Sequence, residues 1–337
     1  MLANAGCAQS LQSRPWSGLT PAQVAGINDM TDGMKGVLAM VGACTIWGLS
    51  PLYFDLIAHV PPLEVLAHRT IWSLGALGVI LGLRGHLGRV RGCLDTGRTA
   101  GLTLLAALVI SANWFGFISA VQLGRALEAS LGYYIFPMVA VLFGMLFFGD
   151  RLRRPQGFAV AMAAAAVIVL TAGLGVVPVI SVFLALSFAT YGALKRRLRA
   201  DPVASVAAEV ALLAPLALVW LALVHGAGWT DMTERPGAVF GTDWPSTILL
   251  VMAGPVTAVP LWLFSYAAQR VVLPTLGLIQ YMNPTLQFLC AALVLAEPVT
   301  VWHAVAFPLI WLGLAVYSHD GWRHARRLRQ EARALNL

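Results

Sequence analysis

The sequence predicts an all-α, polytopic membrane protein of ten transmembrane helices, arranged as two inverted five-helix repeats. Of its 337 residues, 59% are hydrophobic and 11% are charged, whereas about a quarter of the residues in an average soluble domain are charged. Apolar segments of roughly 20 residues, the length that crosses a bilayer, recur along the chain, and basic residues cluster in alternate connections between them. These observations exclude an ordinary soluble enzyme.

The apolar segments define the predicted helices. Residues 1–33 are predicted to form a flexible tail, because they lack the basic segment and apolar core of a signal peptide. The first five-helix half is predicted over 34–173, the second over 174–320, and a basic cytoplasmic tail over 321–337. The ten helices are predicted near 36–57, 64–83, 101–123, 128–147, 156–173, 177–194, 204–224, 246–268, 274–294 and 302–318.

The distribution of lysine and arginine predicts the topology. With the N-terminus inside, every basic residue except Arg69, Arg125 and Arg235 falls in a terminal segment or a cytoplasmic connection. Because basic connections are retained in the cytoplasm, both termini are predicted to be cytoplasmic in a bacterial inner membrane. A miscount by one helix would break this alternation, so the charges support ten crossings.

Two segments of the chain resemble each other at an offset of 147 residues. Pro137 is followed by Asp150, and Pro284 by Glu297, at the same spacing, and a Leu-Gly pair precedes each proline. The fourth and ninth helices are therefore equivalent, unless composition alone produced the match. An odd number of crossings inverts the second unit relative to the first. Inverted halves predict alternating access, with a substrate site near the midplane of the membrane.

Neither the charge nor the cysteines indicate another class of protein. The formal net charge is +7, but the basic residues form short clusters without a nucleic-acid-binding module, so no nucleic-acid partner is predicted. Cys7, Cys44, Cys93 and Cys290 are widely spaced and predict neither a disulfide nor a metal site. Walker A, HExxH and GxSxG motifs are absent, so no catalytic residue, metal or cofactor is predicted.

An ordered series of motifs carries a family resemblance. Ile46-Trp-Gly48, the two Pro/acid segments and the five-plus-five arrangement resemble the EamA-type permeases of the drug/metabolite transporter superfamily. Within it, the series is similar to the RarD subgroup over roughly 34–320. One departure is Ala296 before Glu297, where the first half has Gly149; the acid is kept. The series comprises Trp47-Gly48, Pro51, Tyr53-Phe54, Val60-Pro61, Glu64, His68-Arg69, Trp72-Ser73, Asn113-Trp114, Leu127–Tyr133, Ser187-Phe188, Tyr191-Gly192, Gln280-Tyr281 and Pro284-Thr285.

The resemblance implies a secondary active permease, with export as the expected direction. The subgroup is often labelled a chloramphenicol-sensitivity or chloramphenicol-resistance permease, and relatives export amino acids or other metabolites. The implied partners are a small amphipathic substrate, the lipid bilayer and, as a candidate coupling ion, the proton. A non-transporting sensor or scaffold is the alternative, although the short loops offer little binding surface. An intramembrane enzyme is less consistent with the missing motifs.

Arg69 is the charged residue that most requires an explanation. A charged group within a transmembrane helix costs about 2.5 to 3.5 kcal/mol on insertion scales, so it needs a partner or a purpose. A substrate carboxylate or nitro group would meet the paired donors of its guanidinium. The equally weighted alternative is a structural lock, in which Arg69 pairs with Glu64, Asp55 or Glu128 at the ends of neighbouring helices.

Three titratable residues are candidates for proton coupling: Glu64, His68 and Glu128. Partial burial raises the pKa of a carboxyl group toward neutrality, and histidine titrates near neutral pH without help. Glu64, His68 and Trp72 are spaced four apart and share one face of the second helix, with Arg69 beside it. For Glu128, a capping role at a helix N-terminus is the favoured alternative. Glu209 is expected to pair with a nearby cation.

Aromatic and amide side chains form the rest of the predicted substrate site. Amphipathic aromatics bind flat, partly apolar ligands through contact area and one oriented hydrogen bond. Only part of this set is expected to line the cavity, because interfacial belts and helix packing use the same residue types. Asp150 and Glu297 are expected to cap or bridge helices without binding substrate. The predicted substrate-binding residues are Trp47, His68, Arg69, Trp72, Asn113, Trp114, Tyr133, Tyr134, Trp262, Tyr266, Gln280, Tyr281 and Asn283.

Overall fold

The computed structural model of the chain describes residues 21–150, 153–175, 177–198, 200–271 and 273–335. Over these ranges the fold is built of helices joined by short connections. The helices are α1 (Pro21–Gly48), α2 (Ser50–Leu56), α3 (Pro62–Leu83), α4 (Gly88–Gly92), α5 (Gly97–Gln122), α6 (Ala126–Phe148), α7 (Arg154–Leu174), α8 (Val179–Leu198), α9 (Pro202–Ala227), α10 (Trp244–Ala268), α11 (Leu273–Gln280), α12 (Met282–Leu289), a π-helical turn (Cys290–Val294) and α13 (Val301–Leu335).

Ten segments cross the membrane, as the sequence predicts. Nine candidate spans in the described chain are continuous, long and apolar enough to do so. The tenth, in ninth position along the chain, is 273–294, where α11, α12 and the π-helical turn follow one another. Pro284 lies in the first turn of α12, where a residue without an N–H is tolerated. The predicted ninth helix therefore exists, but it is broken.

Both terminal helices extend beyond their predicted bounds. The first begins at Pro21, so that part of the predicted flexible tail is helical, and residues 1–20 lie outside the described chain. The last continues to Leu335, through most of the predicted basic tail. Asp32–Leu56 forms the first span, which is interrupted at Leu49, between α1 and α2.

The two halves repeat the same packing. Helix α6 of the first half packs on α8 of the second, and α11 and α12 of the second half pack on α1 of the first; likewise α5 with α8 corresponds to α10 with α1. The pairs α3 with α9 and α7 with α13 join equivalent helices across the halves. This correspondence matches helices one to five with helices six to ten. Because each half contains five crossings, the halves are inverted relative to each other.

The contact between α3 and α10 depends on a glycine. A Cβ at Gly254 would lie 2.3 Å from the backbone carbon and oxygen of Trp72, so any side chain there forces the helices apart. We expect Gly254→Ala to lower stability by about 1 to 3 kcal/mol through overpacking, measured as the thermal unfolding midpoint in detergent. Gly78→Ala is the control, because no atom lies within 4 Å of its added Cβ. Equal midpoints for the two variants would contradict this account.

Candidate functional site

Arg69 lies in the interior of the bundle, in the second turn of α3, with 8% of its surface exposed. Its Nε donates to Thr257 Oγ1 of α10 at 2.9 Å. Its guanidinium carbon lies 4.2 Å from the centre of the Trp114 ring on α5 and 5.6 Å from that of Phe54 on α2. The charge is therefore held by a hydroxyl and by aromatic faces that attract cations.

No carboxylate lies within ion-pairing distance of Arg69 in the part of the chain that the structure describes. The three acids of the proposed lock have other positions: Glu64 binds a loop, Asp55 is exposed, and Glu128 pairs with Arg125. The structural lock is therefore not formed in this conformation. A buried guanidinium without a counter-ion is costly, and its donors are suited to an anionic ligand.

A buried amide orients a tyrosine near Arg69. Asn113 is fully buried, and its Nδ2 donates to the Leu184 carbonyl at 3.1 Å and to Ser187 Oγ at 2.9 Å. The Tyr133 hydroxyl donates to Asn113 Oδ1 at 3.0 Å, and its ring contacts Phe117, which in turn contacts Phe54 beside Arg69. The predicted residues Asn113, Trp114, Tyr133 and Arg69 thus meet in one place, which we call the Arg69 site.

His68 and Trp72 face away from the Arg69 site. They line a cavity of about 330 Å³, here named the α3–α9 cavity, together with His225 and Phe240. The Phe240 ring stacks on His68 at 4.6 Å between centroids. The spacing of four residues placed these side chains correctly on one face of α3, but that face belongs to a second cavity.

Glu64 begins the same face and is fully buried. Its Oε1 accepts from the backbone N–H of Val239 at 2.9 Å and of Phe240 at 3.4 Å. Both belong to the connection 228–243, which folds over the start of α3. A second tie is the Asp231 carboxylate, which accepts from the Leu63 N–H at 3.2 Å. Glu64 therefore binds the loop.

Glu128 joins two helix ends. Its Oε2 lies 2.5 Å from the Arg125 guanidinium, and its Oε1 accepts from the Ile180 N–H at 3.0 Å, near the start of α8. The Ser181 hydroxyl donates to the Glu128 carbonyl at 2.6 Å. This is the capping arrangement that the sequence favoured for this residue.

Tyr134 and Tyr281 lie outside both the Arg69 site and the α3–α9 cavity. They line a cavity of about 590 Å³ between α12 and α13, together with Thr285 and Trp311. The Tyr134 and Thr285 hydroxyls are hydrogen-bonded at 2.7 Å. We call this the α12–α13 cavity; Ser318 and His319 line its other end.

The remaining predicted residues are dispersed. Trp47 packs against Phe264, with ring centroids 6.2 Å apart. Trp262 and Tyr266 lie beside Arg84 and Arg270, respectively, as interfacial aromatics do. On the broken span, Asn283 Oδ1 accepts from Gln287 Nε2 at 3.1 Å, and Gln280 is partly exposed.

Comparison with known proteins identifies the family. Residues 34–172 match the EamA-like transporter family. Protein RarD of Streptomyces exfoliatus is 41% identical over 299 residues, which cover 89% of this chain and 93% of the relative. The chain belongs to the RarD group of EamA-like transporters. A Vibrio cholerae relative, described as an uncharacterized transporter, is 40% identical over 305 residues, or 89% of this chain and 97% of the relative.

A solved structure supports the fold of the transporter. A crystal structure aligns with a TM-score of 0.55 at 21% identity, covering 84% of this chain and 95% of the other. At this identity the likeness concerns the fold alone. The family makes the chain a multi-pass permease in a bacterial membrane, acting on a small molecule.

The two helix-end acids of the transporter have different environments. Glu297 caps α6: its carboxylate oxygens accept from the Ala126 N–H at 2.6 Å and the Leu127 N–H at 2.7 Å. Burial raises the pKa of the Glu297 carboxyl, against the lowering by these two N–H groups. Asp150, its counterpart in the repeat, is exposed and pairs with Arg196, which holds the pKa of its carboxyl below the ordinary value. The expected capping and bridging roles are confirmed.

Glu209 pairs with Lys195 at 2.6 Å, as expected. Three residues with structural or binding potential were missed: Thr257 beside Arg69, His225 in the α3–α9 cavity, and Arg235, which donates to the Ala58 carbonyl and to Gln122 Oε1. Two signals were available in the sequence. Thr257 is a polar residue within a transmembrane helix, and Arg235 is a basic residue on the external side, where few basic residues are predicted.

Proposed function

We propose that this permease is a secondary active exporter that moves small amphipathic metabolites or drugs, such as amino-acid-like compounds or chloramphenicol, by alternating access. The Arg69 site supports this substrate class. A carboxylate or nitro group would accept from the guanidinium, while Trp114 and Phe54 would contact an apolar or aromatic part of the molecule.

The observation that carries this proposal is the buried Arg69 without a carboxylate partner among the described residues. A structural cation in a membrane protein is normally paired with an acid or with backbone carbonyls. Here the guanidinium contacts a hydroxyl and two aromatic rings. An anionic or strongly dipolar substrate would supply the missing partner. Neutralisation of the Arg69 charge would then contribute to the free energy of substrate binding.

Alternating access is supported by the closure of one end of the bundle. At the end that carries connection 228–243, Glu297 caps α6, Arg235 joins Ala58 to Gln122, and Glu64 binds the loop backbone. The bonds from Glu297 and Arg235 connect the two halves. By the predicted topology this is the external end, so we assign the conformation as closed to the outside.

At the opposite end of the bundle, the residue equivalent to Glu297 does not cap a helix. Asp150 occupies the position of Glu297 in the first repeat but is paired with an exposed arginine. Its equivalent target is the start of α11, 147 residues beyond the start of α6. In the opposite conformation we expect Asp150 to approach that helix end and Glu297 to release α6. The two halves would thereby exchange conformations between the two states.

The first test compares intracellular and extracellular metabolites in cells with the gene, without it, and with an Arg69→Ala variant expressed at the same level. We expect at least one compound bearing a carboxylate, nitro or similar acceptor group to accumulate outside only with the wild-type protein. Unchanged metabolite distributions across the three strains, with membrane insertion verified, would count against export.

The topology is tested by cysteine labelling in intact cells. Single cysteines placed at exposed positions Arg98 and Trp229 should label oppositely with a membrane-impermeant reagent: Trp229→Cys outside and Arg98→Cys only after permeabilisation. A protein without its native cysteines is the background. Labelling of Arg98→Cys in intact cells would reverse the predicted orientation.

A further inference from the structure

A cluster of potential metal ligands lies in the α3–α9 cavity. Glu64 and His68 on α3 meet His225 near the end of α9, and each residue offers one ligand atom within 4.8 Å of the others. Glu64 Oε1 and His225 Nε2 are 3.8 Å apart. Glu64 and His68 supply only two ligands from one helix, so the sequence alone predicted no metal site.

Two atoms of this cluster have no hydrogen-bond partner. Glu64 is fully buried and His68 is 5% exposed, yet Glu64 Oε2 and His68 Nε2 are both unsatisfied within the described chain. Buried polar atoms are rarely left unpaired, because each costs about 1 to 3 kcal/mol. Both belong to residues of the same cluster, so a single ligand between them would satisfy both.

We propose that Glu64, His68 and His225 form a binding site for a divalent transition-metal ion of the zinc class. Two imidazoles and one carboxylate are a ligand set that zinc accepts, with a water molecule in the fourth position. Zinc–nitrogen bonds of about 2.0 to 2.1 Å place tetrahedral ligands about 3.4 Å apart. The ligand atoms lie within 4.8 Å of one another in the structure, so binding requires the partly exposed His225 side chain to move closer to Glu64 and His68.

The surroundings hold two of the ligands in position. Glu64 Oε1 is fixed by the Val239 and Phe240 N–H groups, and His68 is stacked on Phe240. Such outer contacts orient metal ligands and raise affinity. Imidazole nitrogens favour zinc, cobalt, nickel or copper over magnesium and calcium, which prefer oxygen ligands.

A bound ion would tie α3 to α9, the equivalent helices that meet across the two halves. If the proposed alternating access is correct, zinc would stabilise the end closed by connection 228–243 and slow turnover. That consequence rests on the proposed function, whereas zinc binding itself does not. Binding is therefore the quantity to measure.

The experiment is a zinc titration of the purified full-length protein in detergent, carrying an affinity tag without histidine, against a chromophoric chelator. Wild type should bind one zinc ion more than the His225→Ala variant does, or bind it at least about 100-fold more tightly. The reason is that losing even a residue that only supports a metal ligand lowers metal affinity about 10- to 100-fold. His59→Ala is the control, because His59 is exposed at the same end of the bundle and its hydrogen bond to Ser246 lies outside the Glu64, His68 and His225 cluster. It should bind zinc as wild type does.

Glu64→Gln distinguishes a folding effect from loss of a ligand. The amide keeps an oxygen for the Val239 N–H but is a poor metal ligand, so zinc binding should weaken while the thermal midpoint without zinc stays near that of wild type. Zinc should raise the midpoint of wild type and of His59→Ala but not of His225→Ala. Identical zinc affinity in wild type and His225→Ala, or no bound zinc in wild type, would overturn the proposal.

Discussion

Arg69→Ala is expected to reduce transport efficiency at least 100-fold, which corresponds to about 2.7 kcal/mol of lost binding to the moving substrate. The reason is the loss of two charge-assisted hydrogen bonds, each contributing about 1.5 to 3 kcal/mol. The measurement is counterflow of the identified substrate in liposomes that contain equal amounts of protein. Transport by Arg69→Ala at the wild-type rate would contradict a substrate role for this residue.

Arg69→Lys separates charge from geometry. Lysine keeps the positive charge but loses the planar fork and most of the stacking on Trp114, so we expect an intermediate loss of about tenfold. Arg98→Ala is the control, because Arg98 is exposed at the start of α5. If Arg69→Lys and Arg69→Ala were equally impaired while both were as stable as wild type, the guanidinium fork would be the essential feature.

Glu297→Ala is expected to destabilise the protein by about 2 to 7 kcal/mol. The substitution leaves the Ala126 and Leu127 N–H groups without their acceptors at a buried helix start, and an unsatisfied buried donor costs about 1 to 3 kcal/mol. The lost charge at the helix N-terminus adds about 0.3 to 1 kcal/mol. The thermal unfolding midpoint in detergent measures the effect.

Asp150→Ala provides a matched comparison, because Asp150 occupies the same position in the repeat. Its pair with Arg196 is exposed on both sides, and exposed ion pairs contribute only about 0 to 1 kcal/mol. Glu297→Gln should fall between wild type and Glu297→Ala, since its amide retains one acceptor oxygen. Equal losses of stability in Asp150→Ala and Glu297→Ala would show that the cap at α6 stabilises the protein no more than an exposed ion pair does.

The membrane-spanning helices could be predicted because the bilayer imposes a length and a composition on each of them. The interval 273–294 is the exception. Its hydropathy predicted a continuous helix, whereas the chain breaks at Tyr281 and ends in a π-helical turn. Hydropathy reports where a segment lies, but it does not report how its backbone hydrogen bonds are arranged.

The candidate site was predicted in part. Arg69 was singled out because an intramembrane charge is costly, and its neighbours Trp114 and Tyr133 came from the family motifs. The sequence could not choose between a substrate anion and an acid partner, since that choice depends on distances across the bundle. Glu64 is bound instead by backbone N–H groups at Val239 and Phe240, far along the chain.

His225 shows why the α3–α9 cavity was missed. Its neighbours in sequence are apolar, and nothing nearby marks it as a ligand. Only the packing of α9 on α3 brings it to Glu64 and His68. Spacing along one helix identified the face of α3, but the partner helix had to come from the fold.

The exchange of conformations between the halves is tested most directly by cross-linking the closed end. His59 Nε2 and Ser246 Oγ, from different halves, are hydrogen-bonded at 2.9 Å. In a protein without native cysteines, His59→Cys and Ser246→Cys are joined by a short bis-methanethiosulfonate, which forms a reducible disulfide with each cysteine and releases methanesulfinate, and the product is assayed by counterflow in liposomes. We expect transport to stop on cross-linking and to return on reduction; transport at the unlinked rate by the fully cross-linked protein would contradict alternating access.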